Sequence, residues 1–278
     1  MKEKESKKKL TLGFFCIFSN LESIINQFKM KKTVFIIACL MAVSTLQAQV
    51  AMSRYLTVKE GKMGKFMDLA AAKTKKYNSK KGQPIYYTFQ VLTGPNAQQF
   101  WRVQVAPKID DFDTVDTKGN NYWQETVGNL HTTRNTQMWS FNENASHDPG
   151  GSDVNMLSRM LFYTISNTGS KGFWKFRMRV ARVMKEMNSD LSMFVWNCNS
   201  GCNGNVVLVS FGHKNYADQR MDNETEYPKM VEKYNEMFGR DAYEDDLGML
   251  DESLEDLWGR NAVHMQFLPE LSSPPGME

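Results

Sequence analysis

The chain has 278 residues, 41% of them hydrophobic, with 34 Lys and Arg against 31 Asp and Glu for a formal charge of +3. Eight of those basic residues and three of the acidic ones fall in the first 48 positions, which leaves 26 against 28 and a net charge of −2 beyond them. A mildly acidic body has no electrostatic footprint for nucleic acid, so that class of partner is excluded.

Residues 1–29 read as neither a domain nor a secretory n-region, and Met30 is the expected true start. From there MKKTVFIIACLMAVSTLQA, residues 30–48, has two lysines, an apolar run from Val34 to Val43, and a small residue at Ala48. That is a signal peptide with cleavage near Ala48: the run is too short for a membrane span. Ile36-Ile37-Ala38-Cys39 also fits a lipobox, but few apolar residues precede Cys39 and the run continues past it. The mature protein is expected in the periplasm or outside the cell, touching membrane only through the signal peptide during export.

Beyond residue 48 the chain is one unit written twice. The first repeat, residues 49–143, opens with YLTVKEGKMGKFMDLAAAKTKKYN: a strand, a glycine turn, then a helix. PIYYTFQVLTG and QFWRVQVAPK then read as a hairpin, followed by helical NNYWQETVGNL and a closing strand NTQMWSF. On one face of the hairpin Tyr86 and Thr88 alternate with Arg102 and Gln104 on the adjoining strand. Polar groups with an arginine on a sheet face can orient a ligand, or can be a wetted seam or an exposed face. His131 and His147 read as surface residues.

Residues 144–155, NASHDPGGSDVN, read as a linker. The second repeat, residues 156–278, opens with LFYTISNTGSKGFWKFRMRVARVMKEMN. Gly169 and Gly172 match Gly61 and Gly64, which aligns Trp174 with Phe66. Phe173, Phe176, Val180, Val183, Met184 and Met187 form a buried stripe, with Lys175, Arg179, Arg182 and Lys185 on a solvated back. SMFVWNCNSG and NVVLVSFGHK form the second hairpin, and YPKMVEKYNEMFG and AVHMQFLPE the last helix and strand. An extra amphipathic piece, DDLGMLDESLEDLWGR, intervenes, its acids reading as a solvated face because they lack calcium-loop spacing.

Each half has the order βαββαβ, the ferredoxin-like pattern. The fold class is α+β, with two tandem repeats whose antiparallel sheets pack into a single-chain barrel. Residues 53–270 resemble, in element order, helix-start glycines and paired hairpins, the single-chain members of the dimeric α+β barrel superfamily related to antibiotic-biosynthesis-monooxygenase-like domains. No short functional motif of that superfamily is matched, so the resemblance carries over no catalytic residue.

Cys198 and Cys202 are the only cysteines of the mature chain and lie at the second hairpin's tip, where an oxidising compartment favours a disulfide. No spacing suits a metal site. Haem-binding members of the superfamily place a histidine against the sheet, a role the resemblance allows to His213 or His264; the reading otherwise expects no cofactor. The candidate pocket residues are Tyr86, Thr88, Arg102, Gln104, His213 and His264. The function expected is an exported protein that binds a small apolar ligand or a protein partner. The alternative is an oxygenase-like enzyme, cofactor-free or haem-dependent, with its pocket between sheet and helices.

Overall fold

Eight antiparallel strands close on themselves into a barrel, four from each repeat. The computed structural model describes residues 49–150, 155–166, 169–255, 259–275 and 277; the upstream extension, the signal peptide with its lipobox, and positions 151–154 of the expected linker lie outside them. The first repeat supplies β1 (Val50–Val58), β2 (Ile85–Val91), β3 (Phe100–Ala106) and β4 (His131–Phe141), with helices α1 (Met63–Tyr77) and α2 (Thr117–Thr126). The second supplies β5 (Leu157–Ile165), β6 (Ser192–Ser200), β7 (Asn205–His213) and β8 (Arg260–Phe267), with α3 (Ser170–Glu186), α4 (Tyr216–Met221), α5 (Tyr227–Phe238) and α6 (Ala242–Glu252).

The repeats join at two seams, β2 with β8 at Phe89↔Phe267 and β4 with β6 at Phe141↔Trp196. Closure follows from the period-2 pattern, because a strand with apolar residues on both faces needs cover on both. One face turns inward, where Tyr55, Trp101, Trp139, Met160, Leu208 and Met265 pack with Phe89, Phe162 and Trp196. Side chains fill this interior, and the Trp139 indole N–H donates to the Ser53 hydroxyl at 2.8 Å. The outward faces are covered by helices: Leu56 and Phe100 by Phe66, Ala70 and Trp123 in the first repeat, and Leu161, Val195 and Val209 by Phe173, Phe176 and Val180 in the second.

Strand pairing aligns the repeats residue by residue. Arg54 faces Arg102 across β1 and β3 as Leu161 faces Val209 across β5 and β7, and both matched pairs stand 107 positions apart, 54 to 161 and 102 to 209. The same offset sets Phe66 against Phe173 rather than Trp174, which corrects the alignment drawn from the glycines by one residue.

Three other expectations change. Asp246 is not on a solvated face: its carboxylate is buried, bridged by Lys175 at 2.8 Å and Arg179 at 2.6 Å, and takes a hydrogen bond from the Tyr234 hydroxyl. Burial opposes its ionisation, but those three donors outweigh burial and hold its pKa below the usual carboxylate range. The basic back of α3 is thus partly an internal ion cluster. His131 and His147 are buried rather than at the surface; His147 bridges to Met193 through its backbone and its ring meets the Ser189 carbonyl.

Cys198 and Cys202 are disulfide-bonded with Cα atoms 6.4 Å apart. Gly201 between them has φ of +81°, and a Cβ there would lie 2.3 Å from the Thr136 carbonyl oxygen, so the turn requires glycine. Closing a loop with three intervening residues removes little unfolded-chain entropy, so the bond stabilises by about 1–2 kcal/mol. A Cys198→Ser, Cys202→Ser variant is expected to fold and to melt a few degrees lower in a thermal scan. Failure to fold would show that the bond sets the barrel seam rather than the hairpin tip.

Candidate functional site

The helix-facing side of the first repeat's sheet carries a row of polar residues across three strands. Arg54 on β1, Arg102 on β3 and Thr88 on β2 stand opposite one another, and in the next row Gln104 faces Tyr86. The equivalent positions of the second repeat are Leu161, Val209, Val195, Phe211 and Met193, all apolar. The same backbone therefore builds an oily layer in one repeat and a polar one in the other.

Arg102 is 2% exposed. Its Nη1 donates to the Thr88 hydroxyl at 2.7 Å and to the Leu271 carbonyl at 3.0 Å, while Nε and Nη2 have no partner. The guanidinium carbon lies 4.5 Å from the Tyr86 ring centroid and 4.9 Å from that of Trp123. Burial pulls its pKa down to about 10. Leu271 sits in the last turn, where its carbonyl also accepts from the Thr74 and Thr88 hydroxyls.

Lys73 approaches the same sheet face from α1. Its ammonium is 4.7 Å from the Tyr86 centroid and donates to the Asn78 side-chain oxygen at 2.6 Å. Burial first, and the charge of Arg102 second, lower its pKa to about 7; Asp116, which caps α2, opposes them through space. Tyr86 in turn donates its hydroxyl hydrogen to Gln104 at 2.8 Å. Among the described residues no carboxylate makes an ion pair with Arg54, Lys73 or Arg102.

Beside this cluster lies a cleft of about 330 Å³ lined by Arg54, Asn120, Trp123, Gln124, His131 and Thr133, with Gly128 at its edge. The α2 residues arrive there because Trp123 is the helix's buried anchor, packed on Phe66, and Asn120 and Gln124 flank it. His131 lies tilted against Trp123 at 5.4 Å, its Nε2 has no partner, and burial, helped by the charges of Arg54, Arg102 and Lys59 and opposed by a backbone hydrogen bond at Thr132, lowers its pKa from the usual histidine value.

Of the six residues singled out by sequence, Tyr86, Thr88, Arg102 and Gln104 come together here. His213 and His264 do not: they lie on β7 and β8 beside Arg159, where His264 meets Gln219 at 3.0 Å and stacks on Tyr216 at 5.4 Å. Sequence reasoning missed Arg54, Lys73, Trp123 and His131. Lys73 was detectable in principle, since it falls in step with Phe66 and Ala70 on the buried stripe of α1.

A buried lysine with a lowered pKa makes a signed prediction. Below pH 7 it is protonated in both folded and unfolded chains and the full penalty of burying the charge is present. As pH rises from about 7 towards the usual 10.5 only the unfolded chain keeps the proton, so the penalty is relieved and stability rises. Between pH 6 and pH 9 the change is on the order of 3 kcal/mol. Lys73→Met, whose counterpart in the second repeat is Val180, should lack that rise and be more stable than the parent at pH 6, by denaturant unfolding at pH 6 and 9. A variant less stable at pH 6 would mean that the lysine's contacts outweigh its desolvation.

No family model matches the chain, and no curated protein matches it. Solved structures do. A provisionally assigned monooxygenase from Lactobacillus acidophilus aligns over 79% of this chain and 94% of its own, with TM-score 0.55 and 9% identity. A second, from Fusobacterium nucleatum, covers 81% and 94% with TM-score 0.55 and 8% identity. A cyanide complex of a chlorite dismutase variant from Candidatus Nitrospira defluvii covers 82% and 93% with TM-score 0.50 and 7% identity. With its closed barrel of eight antiparallel strands and helices outside, this chain has the dimeric α+β barrel fold, both halves in one polypeptide.

Proposed function

We propose that this is an exported protein that binds a small molecule in the cleft of its first repeat, between sheet and helices. The observation that carries the reading is the difference between the repeats. Where packing alone is at stake, this backbone uses Leu161, Val195 and Val209; at the matched positions it keeps Arg54, Thr88 and Arg102 beside an open cleft. Burying an unpaired guanidinium lowers stability, so a purpose other than packing supports its presence. The lining is polar, which favours a polar ligand over the apolar one expected from sequence.

Export rests on the 30–48 leader, and the position of the fold supports it: β1 starts at Val50, two residues past the expected cut at Ala48. Secreted protein made from Met30 is expected to have an N-terminus at Gln49 by N-terminal sequencing. A terminus at Cys39 would indicate a lipoprotein instead.

A second reading, cofactor-free oxygenase-like turnover in the same cleft, is favoured by the monooxygenase-like neighbours and by two groups available as proton acceptors, Lys73 and His131. Haem fits the described residues poorly. His264 is engaged with Gln219 and Tyr216, and the space between sheet and helices in the second repeat is taken by Phe173, Phe176, Tyr234 and Tyr243.

The test is a thermal-shift screen of small metabolites on the parent protein and on Arg54→Ala, a variant at a half-buried cleft residue whose folding is checked by its melting curve without ligand. A ligand at a hundredfold excess over its Kd is expected to raise the parent's Tm by about 5–10 °C and Arg54→Ala by far less. Responses equal in both proteins would place binding elsewhere. Sustained oxygen uptake with a phenolic ligand, abolished by Lys73→Met, would establish the enzyme.

A further inference from the structure

We propose that the ligand carries a carboxylate, and that this group docks side-on against the Nε–Nη2 edge of Arg102. The inference rests on the first-repeat cleft being the binding site. One edge of the guanidinium is already used, because Nη1 serves Thr88 and Leu271. The two donors that remain, Nε and Nη2, form the parallel fork that takes a carboxylate in a bidentate pair, and both are buried without partners. An Arg that is 2% exposed with two idle donor nitrogens leaves costly donors that an oxyanion would satisfy together.

Charge points the same way. Arg54 lines the cleft, Lys73 and Arg102 both lie against the Tyr86 ring, and no carboxylate of the described residues pairs with any of the three. Arg177 of the second repeat shows the contrast. It too is buried and its Nε has no partner, but its Nη2 donates to the Tyr163 hydroxyl, so it lacks a free Nε–Nη2 pair, and it comes from the helix with the rings of Tyr163, Phe173 and Phe176 around it.

Shape selects among oxyanions. A carboxylate is flat and can lie coplanar with the guanidinium to use both donors of the fork, whereas a tetrahedral phosphate projects oxygens out of that plane, where the Tyr86 and Trp123 rings, 4.5 and 4.9 Å from the guanidinium carbon, limit the room. Trp123 both lines the cleft and touches the guanidinium, which puts the buried fork behind the cleft wall.

The probes are sodium benzoate, its neutral isostere benzamide, and inorganic phosphate. The readouts are the arginine Nε–H signals in a ¹⁵N–¹H spectrum and the melting temperature. Benzoate should move the Arg102 Nε–H signal, identified by its loss in Arg102→Gln, and raise the melting temperature saturably; benzamide should do neither. Arg102→Gln should weaken benzoate by roughly 30-fold or more, and Arg54→Gln by less. If Arg102→Gln does not fold, Arg102→Lys keeps the charge, loses the fork and should show the same weakening. An Arg102 signal unmoved by benzoate, or moved by phosphate alone, overturns the proposal. If neutral metabolites still act through Arg54 in that case, the cleft remains the binding site and only the ligand class is wrong.

Discussion

Barrel closure is the constraint on which everything else in this molecule depends. A four-stranded ferredoxin-like sheet covered by helices on one side leaves its other side bare, and here each repeat covers the other along the β2–β8 and β4–β6 seams. The shared interior is then filled by Tyr55, Trp101, Trp139, Phe162, Trp196 and their neighbours. That packing leaves the helix-facing outer layer as the part of the fold where a sequence can vary its chemistry without losing the barrel.

Duplication makes that variation measurable within one chain. Positions 107 apart share backbone pairing, so the differences between Arg54 and Leu161, Thr88 and Val195, or Arg102 and Val209 do not come from the strand architecture. The second repeat devotes its outer layer to stability: an aliphatic sheet face, the α3 stripe, and an acid in Asp246 satisfied by Lys175, Arg179 and Tyr234. The first repeat holds three cations without an acid partner among the described residues and a cleft beside them. Sites that bind or react are commonly less stable than the same backbone packed for stability alone.

The architecture was largely legible in the sequence because it rests on local signals. Period-2 runs in PIYYTFQVLTG and NVVLVSFGHK, and the three-and-four spacing from Phe173 to Met184, specify strands and a helix before any contact is known. The same local alternation puts Tyr86, Thr88, Arg102 and Gln104 on one face. Which face that was could not be read, since a strand's two sides differ only in what the rest of the chain brings against them. Trp123, His131 and Arg54, from α2, β4 and β1, join the site through tertiary packing that no short-range pattern records, and for Lys73 the α1 stripe marks burial but not the partners it meets. Asp246 was misread similarly: its acids-on-one-face pattern is that of a solvated helix, and only the docking of α6 on α3 brings it to Arg179.

The central claim is that the polar layer of the first repeat is a binding site and not an alternative way of packing a core. A crystal structure of the protein soaked with benzoate tests it most directly. The account predicts planar density in the first repeat, on the free edge of Arg102 beside Trp123 and Arg54, with nothing at the matched positions around Val209. Density confined to other surfaces, or an Arg102 whose Nε and Nη2 are satisfied by the chain's own acids, would contradict it.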